Sequence, residues 1–297
     1  MTISKKRKEY LIGYSFILPN FIGYFFVTFI PVLCAFVLSL FKWNGSAASL
    51  KFLGLGNFIK MFNNSTFQIA LNNTIYYALV AVPLTMVCSL GLAILLNQKI
   101  VGRNFCRSAL FFPHVASVVA IAVVFNMLFN PDMGPINQLL AWIGINPEFL
   151  PRWSASVDWS MPTVILASVW KSMGYYMIVY LAALQNVPAD LYEAASIDGA
   201  TGWKKFRYIT WPMLTPTTFF VVIMLTVSCF KVFDLIWLMT MGGPGRSSTV
   251  LAMHIYKSAF LEGKFGYASA VGVALFFIVM LITLVQFKLE NKWASNF

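Results

Sequence analysis

Apolar residues fill long stretches of this chain, and charged residues are confined mostly to the segments between them. Four stretches contain no Asp, Glu, Lys or Arg: residues 10–41, 61–98, 108–131 and 265–287. Two further stretches, 159–187 and 208–245, contain one and two charged residues. A membrane-spanning helix needs about 20 mostly apolar residues. The pattern therefore predicts an all-α membrane protein whose whole chain, 1–297, is a single transmembrane domain. Six helices are expected, at about residues 12–41, 73–96, 109–129, 160–184, 214–238 and 267–288.

The composition supports a membrane protein and excludes a nucleic-acid-binding one. The 297 residues are 59% hydrophobic and 10% charged, whereas soluble domains average about 45–50% and about 25%. The formal net charge is +11, but the basic residues are scattered between apolar stretches and form no basic stripe. Cys34, Cys88, Cys106 and Cys229 lie in or beside apolar stretches without CxxC spacing. We therefore expect neither a disulfide nor a metal site.

Lys and Arg outside the predicted helices indicate the orientation. With the N-terminus in the cytoplasm, cytoplasmic segments hold twelve of them and outer segments seven, and a basic cluster at 5–8 directly precedes the first helix. Cytoplasmic loops are enriched in Lys and Arg, so both termini are predicted to be cytoplasmic. The first apolar stretch is too long for a cleaved signal peptide.

A polar segment at residues 188–212 separates two of the predicted spans, and its first half has the pattern of a short helix. Pro188 and Asp190 are typical of a helix start, and Gly199 is typical of a helix end. Leu191, Ala194 and Ala195 share one face. This small-residue face allows another backbone to approach closely, and an ordinary polar connector is the alternative interpretation.

The second half of this segment predicts another helix that leads into the next span. Thr201 is a suitable N-cap, and Trp203, Phe206 and Ile209 recur at intervals of three. Pro212 then precedes the apolar stretch. In the predicted orientation, both short helices lie in the cytoplasm.

The stretch "EAASIDGATGWKKFRYITWPMLTP" closely resembles the EAA loop of permease subunits from binding-protein-dependent ABC importers. Trp211 departs from the leucine that is usual in that motif. The resemblance implies that 188–212 is a coupling loop that docks on an ATP-hydrolysing subunit. The residues expected to make this contact are Leu191, Glu193, Ala194, Ala195, Asp198, Gly199 and Ala200.

Other stretches, such as "FKVFDLIWLMTMGGPG", resemble carbohydrate importers of the maltose, glycerol-phosphate and multiple-sugar group. The resemblance implies the type I ABC importer permease fold in a bacterial or archaeal cytoplasmic membrane. It also implies several partners: a second homologous permease, two ATP-binding subunits, an extracellular or periplasmic solute-binding protein and a carbohydrate substrate. An ion-coupled secondary transporter is the alternative, although the chain shows no internal repeat.

Catalytic motifs are absent from the chain. The fragment "GGPGRSST" at 242–249 lacks the lysine of a phosphate-binding GxxxxGK[ST] loop. We therefore expect no enzymatic activity, no cofactor and no metal in this chain, with ATP and magnesium used by the partner ATPase.

Charged residues at membrane depth are costly and usually face a cavity or each other. Lys171 lies in the aromatic and hydroxyl-rich stretch "SVWKSMGYYM", and Trp170 aligns with a sugar-contacting tryptophan of the resembled maltose permease. Lys231 and Asp234 are three residues apart and are expected either to pair on one helix or to contact cargo. The candidate substrate path comprises Ser168, Trp170, Lys171, Ser172, Tyr175, Ser228, Lys231 and Asp234.

Overall fold

The computed structural model describes residues 5–98 and 100–294, and these residues are mostly helical. Three π-helical turns, at Phe25–Phe29, Phe206–Thr210 and Lys257–Leu261, continue neighbouring α-helices. Two short antiparallel strands, β1 (Phe41–Lys42) and β2 (Lys51–Phe52), form a hairpin. The α-helices are α1 (Lys5–Tyr24), α2 (Ile30–Leu38), α3 (Gly56–Phe62), α4 (Ser65–Asn97), α5 (Arg103–Val115), α6 (Val118–Leu128), α7 (Pro135–Trp142), α8 (Val157–Gln185), α9 (Ala189–Ile197), α10 (Gly202–Lys205), α11 (Trp211–Phe230), α12 (Asp234–Thr240), α13 (Leu251–Tyr256) and α14 (Phe265–Ala294).

Five continuous helical runs among the described residues are long and apolar enough to cross a membrane: Ile12–Leu38, Ser65–Asn97, Val157–Gln185, Gly202–Phe230 and Phe265–Glu290. A sixth crossing arises if α5 and α6 are counted together as one broken span. The second run begins at residue 65, well before the predicted start at 73, because its first turns are amphipathic: Phe67 and Ala70 are buried while Asn72 is exposed.

The helix predicted over 109–129 is not one continuous helix. It consists of the end of α5 and all of α6, whose axes meet at 101°. Ala116 and Ser117 adopt extended backbone angles between the two helices. Pro113 has no N–H and removes a helical hydrogen bond just before the break, and serine is a favoured residue at a helix N-cap. Hydrophobicity is maintained through the bend, so the apolar pattern does not reveal it.

The helix predicted over 214–238 also ends early. α11 stops at Phe230, Lys231 is its C-cap, and Asp234 begins the separate helix α12. An acidic residue is favourable in the first turn of a helix, which suits Asp234 to a new start. The expected pairing of Lys231 and Asp234 on one helix is therefore wrong. No carboxylate lies within salt-bridge distance of Lys231 in the part of the chain that the structure describes.

The chain divides into two compact units. The first contains the chain up to Asn64 together with Ile255–Phe276. In this unit Asn57 is buried, and its side-chain amide donates hydrogen bonds of 2.8 Å to the carbonyl oxygens of Ser39 and Phe41. These two bonds tie α3 to the segment that follows α2. No residue in the most apolar part of the Ile12–Leu38 run is buried.

The second unit contains Ser65–His254 together with the chain from Phe277 onward. Its core forms where α4, α8 and α11 meet, and side chains such as Ala93, Met177, Tyr180 and Leu214 are almost fully buried there. α8 also approaches α5 closely at Gly174: a Cβ at this position would overlap the carbonyl oxygen of Leu110. Small residues allow this kind of close helix packing in membranes.

Because Gly174 has no space for a Cβ, we expect Gly174→Ala to push α5 and α8 apart and to destabilise the protein by about 1–3 kcal/mol. The matched control is Gly91→Ala, also within a long helix, where an added Cβ meets no atom within 4 Å. That substitution should be neutral or stabilising by up to about 1 kcal/mol. Thermal unfolding in mild detergent, followed by tryptophan fluorescence, measures the change in stability of each purified variant. Equal midpoints for the two variants would contradict the close contact.

Candidate functional site

The helix α9, at residues 189–197, ends in a left-handed turn at Gly199. Gly199 has φ +72°, and its N–H donates to the carbonyl oxygen of Ser196 at 3.1 Å. The N–H of Ala200 donates to the carbonyl oxygen of Ala195 at 2.8 Å. These two bonds form a Schellman motif, in which a residue with positive φ closes the helix. The sequence pattern predicted this helix end.

The surface of α9 is largely open, since the helix contains no buried residue. Of the predicted contact residues, Leu191, Glu193, Ala194, Asp198 and Gly199 are exposed, while Ala195 and Ala200 are half-buried. The structure therefore brings all seven together at one short helix and its C-terminal turn.

Two large apolar side chains beside these residues were not predicted as contacts. Ile197 is 88% exposed and Trp203 is 72% exposed. Both lie next to the Gly199 turn, and exposed apolar side chains grouped in this way commonly mark an interaction surface. Trp203 was predicted only as part of the second short helix, and Ile197 was not considered.

Four of the cargo candidates on α8 share one face, because Ser168, Lys171, Ser172 and Tyr175 are spaced at i, i+3, i+4 and i+7. All four side chains are half-buried, and two of them contact neighbouring helices. The Tyr77 hydroxyl donates to Ser168 Oγ at 2.6 Å, and the Tyr175 ring stacks on His114 with centroids 4.6 Å apart.

Lys171 lies within electrostatic range of His114. No carboxylate in the described part of the chain lies within salt-bridge distance of its ammonium group.

Trp170 lies on the other side of α8. Its ring contacts Phe125 of α6, with centroids 5.4 Å apart, and the side chain is 40% exposed. The α8 candidates therefore do not form one surface: four face α4 and α5, and the tryptophan faces α6 and open space.

The three remaining candidates lie at the end of α11 and the start of α12. Ser228 is exposed and lies close to the hydroxyl of Tyr176 on α8. Lys231 and Asp234 are exposed on either side of the break between α11 and α12.

Residues 86–295 match the family described as "Binding-protein-dependent transport system inner membrane component". The chain belongs to this family of membrane permeases. The match includes the coupling segment and every cargo candidate. The predicted membrane location and permease fold are thereby confirmed.

Individual relatives match almost the whole chain. It is 36% identical to the probable ABC transporter permease protein YurN of Bacillus subtilis, over 94% of this chain and 95% of that protein. It is 35% identical to the lactose transport system permease protein LacF of Rhizobium radiobacter, over 96% of this chain and 95% of that protein.

A solved structure shares the fold. A chain in the crystal structure of a bacterial alginate ABC transporter, in complex with alginate pentasaccharide-bound periplasmic protein, matches with a TM-score of 0.86 and 24% identity. The match covers 98% of this chain and 97% of that chain. At this identity the likeness shows the fold alone.

The hydrogen bond from Tyr77 to Ser168 gives Ser168 a structural role that can be measured. Ser168→Ala removes the acceptor for the buried Tyr77 hydroxyl, and we expect a loss of about 0.5–2 kcal/mol of stability. Tyr77→Phe in the same background should cost little more, because the bond is already lost. The free energies of unfolding of the four proteins in this double-mutant cycle test the point. Strictly additive effects would show that the two hydroxyls are not coupled.

Proposed function

We propose that the chain is the transmembrane permease subunit of an ABC importer for a sugar or oligosaccharide. Together with a second, homologous permease it forms the translocation path, and an extracellular binding protein delivers the cargo. The observation that carries this proposal is the exposed helix α9 with its Gly199 turn, presented between two membrane spans of a chain that belongs to the permease family. The name of LacF supports a carbohydrate cargo.

The segment 188–212 is the coupling loop in this proposal. In the predicted orientation, α9 lies in the cytoplasm and docks in a groove of an ATP-binding subunit. Leu191, Ala194 and Ala195 provide the close contact, and the exposed Ile197 and Trp203 border it. ATP binding closes the two ATP-binding subunits and displaces α9, which moves the spans on either side of it. Because binding couplings are reciprocal, a loaded binding protein in turn favours closure of those subunits.

Of the five cargo candidates on α8, Trp170 is the most exposed, at 40%. Its partly exposed indole ring offers an apolar face that suits the CH surface of a sugar. Ser168, Ser172 and Tyr175 are half-buried and also remain candidates for the path; Ser168 accepts a hydrogen bond from Tyr77, and Tyr175 stacks on His114. Lys171, Ser228, Lys231 and Asp234 remain candidates for the path, with no acid paired to either lysine in the described residues.

The chain catalyses no reaction by itself in this proposal, and it binds no cofactor and no metal. Two ATP-binding subunits hydrolyse ATP with magnesium. The names of the relatives support an ATP-driven importer and give no support to an ion-coupled secondary transporter.

Replacing Gly199 with tryptophan tests the coupling loop. The variant forces a bulky residue into positive φ at the docking surface, so we expect the chain to lose the ATP-binding subunits and to retain the second permease. Gly102→Trp is the matched control: Gly102 is also exposed, with φ +75° and no atom within 4 Å of an added Cβ, but it lies outside the coupling loop.

Affinity purification of the tagged chain in mild detergent, followed by mass spectrometry, gives the result. Wild type and Gly102→Trp should both retain the ATP-binding subunits. If wild type purifies alone under conditions that preserve other membrane complexes, the importer proposal fails. If Gly199→Trp retains the ATP-binding subunits as well as wild type does, the docking site lies elsewhere.

A further inference from the structure

Two side-chain hydrogen bonds join α9 to the helical run that continues into α11. The hydroxyls of Tyr192 and Thr210 are 2.8 Å apart, and the ammonium group of Lys205 donates to Ser196 Oγ at 2.6 Å. Among the described residues, the side-chain hydrogen bonds that leave α9 all end in this run, and none ends on α8. The helix is therefore tied to the span that follows it and not to the span that precedes it.

Either hydroxyl can donate in the 2.8 Å bond between Tyr192 and Thr210, and Thr210 Oγ1 also lies 3.5 Å from the carbonyl oxygen of Lys205. Ser196 donates its hydrogen to the carbonyl oxygen of Tyr192 at 2.7 Å, which leaves Ser196 Oγ free to accept from Lys205. Two short side-chain hydrogen bonds, Tyr192–Thr210 and Lys205–Ser196, therefore join α9 to the following run.

The spacing of these two bonds restricts the angle between α9 and the run as well as their distance. Tyr192 and Ser196 are four residues apart, one turn of α9. Lys205 and Thr210 are five apart, about one turn of the π-helix at Phe206–Thr210. A single bond would act as a pivot, whereas two attachments one turn apart, together with the chain connection through the Gly199 turn, restrict rotation of α9 against the run.

The two attachments differ in strength. Thr210 is only 7% exposed and Tyr192 is half-buried, so their bond is shielded from water. Lys205 and Ser196 meet at an exposed position, where water competes for the same groups. Thr210 also belongs to the continuous run Gly202–Phe230, which is long enough to span the membrane. The shielded bond therefore connects α9 directly to a membrane span.

We propose that Tyr192 and Thr210 are positioning residues that make α9 and the Gly202–Phe230 run move as one rigid body. This inference rests on the proposed function, because it assigns the path by which a displacement of the docked helix enters the membrane. The displacement is transmitted through α11, and the joint between α8 and α9 bends.

Distances between spin labels test directly whether α9 and the Gly202–Phe230 run move together, and the experiment needs no cargo. In the assembled complex, with the four native cysteines replaced, one label pair is placed at Ile197 and Met213 and a second pair at Ile197 and Ala182. All three positions are exposed. We expect the 197–213 distance distribution to be narrow and the same with and without magnesium ATP. The 182–197 distance should shift when ATP binds.

The variants Tyr192→Phe and Thr210→Val each remove the shielded bond, and we expect the narrow 197–213 distribution to be lost in both. Thr210→Ser keeps the hydroxyl and should restore it. Tyr208→Phe is the matched control, because Tyr208 lies in the same π-helical turn and is 76% exposed. None of these changes alters the exposed docking face of α9, so capture of the ATP-binding subunits should persist in every variant.

An unchanged narrow 197–213 distribution in Tyr192→Phe and Thr210→Val would overturn the proposal, as would an ATP-dependent 197–213 shift in wild type. Loss of the ATP-binding subunits in Tyr192→Phe alone would overturn it too, because the residue would then belong to the docking surface, while the proposed function would stand. If wild type captures no ATP-binding subunit, the proposed function itself fails and this inference fails with it.

Discussion

The backbone of α8 meets that of α5 at Gly174, and the arrangement of the second unit depends on this contact. A side chain at position 174 would overlap the carbonyl oxygen of Leu110, so only glycine allows the two helices to lie this close. The same approach stacks Tyr175 on His114. Trp170 lies one turn before Gly174 on the same side of α8 and remains 40% exposed. Since α8 ends directly before α9, the contact also sets where the coupling helix starts.

The coupling helix could not hold its position alone. Helices shorter than about 12–15 residues are marginal in water, and α9 has nine residues, none of them buried. Its C-terminal turn at Gly199 satisfies the last carbonyl groups, and the hydrogen bonds to Lys205 and Thr210 hold it against the following span. In the proposed mechanism, α9 offers an exposed docking face to the ATP-binding subunit. Its attachment to the following run passes the movement of that subunit on to α11.

The sequence predicts those features of this protein that depend on composition and local backbone preference. Long apolar stretches identify the spans, and Gly199 marks the end of α9 because few other residues adopt positive φ. The break at Ala116 and Ser117 was missed because hydrophobicity is continuous across it. The wrong pairing of Lys231 with Asp234 followed from assuming that α11 continues past Phe230.

For the candidate sites too, the sequence predicts what depends on local pattern and misses what depends on how helices pack. Helical spacing could have predicted that Trp170 lies apart from the other α8 candidates. Only Ser168, Lys171, Ser172 and Tyr175 recur at i, i+3, i+4 and i+7. The bond between Tyr192 and Thr210 joins residues eighteen apart. It depends on how two helices pack, and neither local preference nor periodicity specifies that.

The measurement that tests the account most directly is photo-cross-linking from Ile197, which is 88% exposed beside the Gly199 turn. A photoreactive amino acid at this position, in the chain expressed with its native complex, should form a covalent product with the ATP-binding subunit. The same group at Phe149, which is 78% exposed on the opposite side of the membrane in the predicted orientation, should not. A product with the ATP-binding subunit from Phe149 and none from Ile197 would contradict both the orientation and the role of α9.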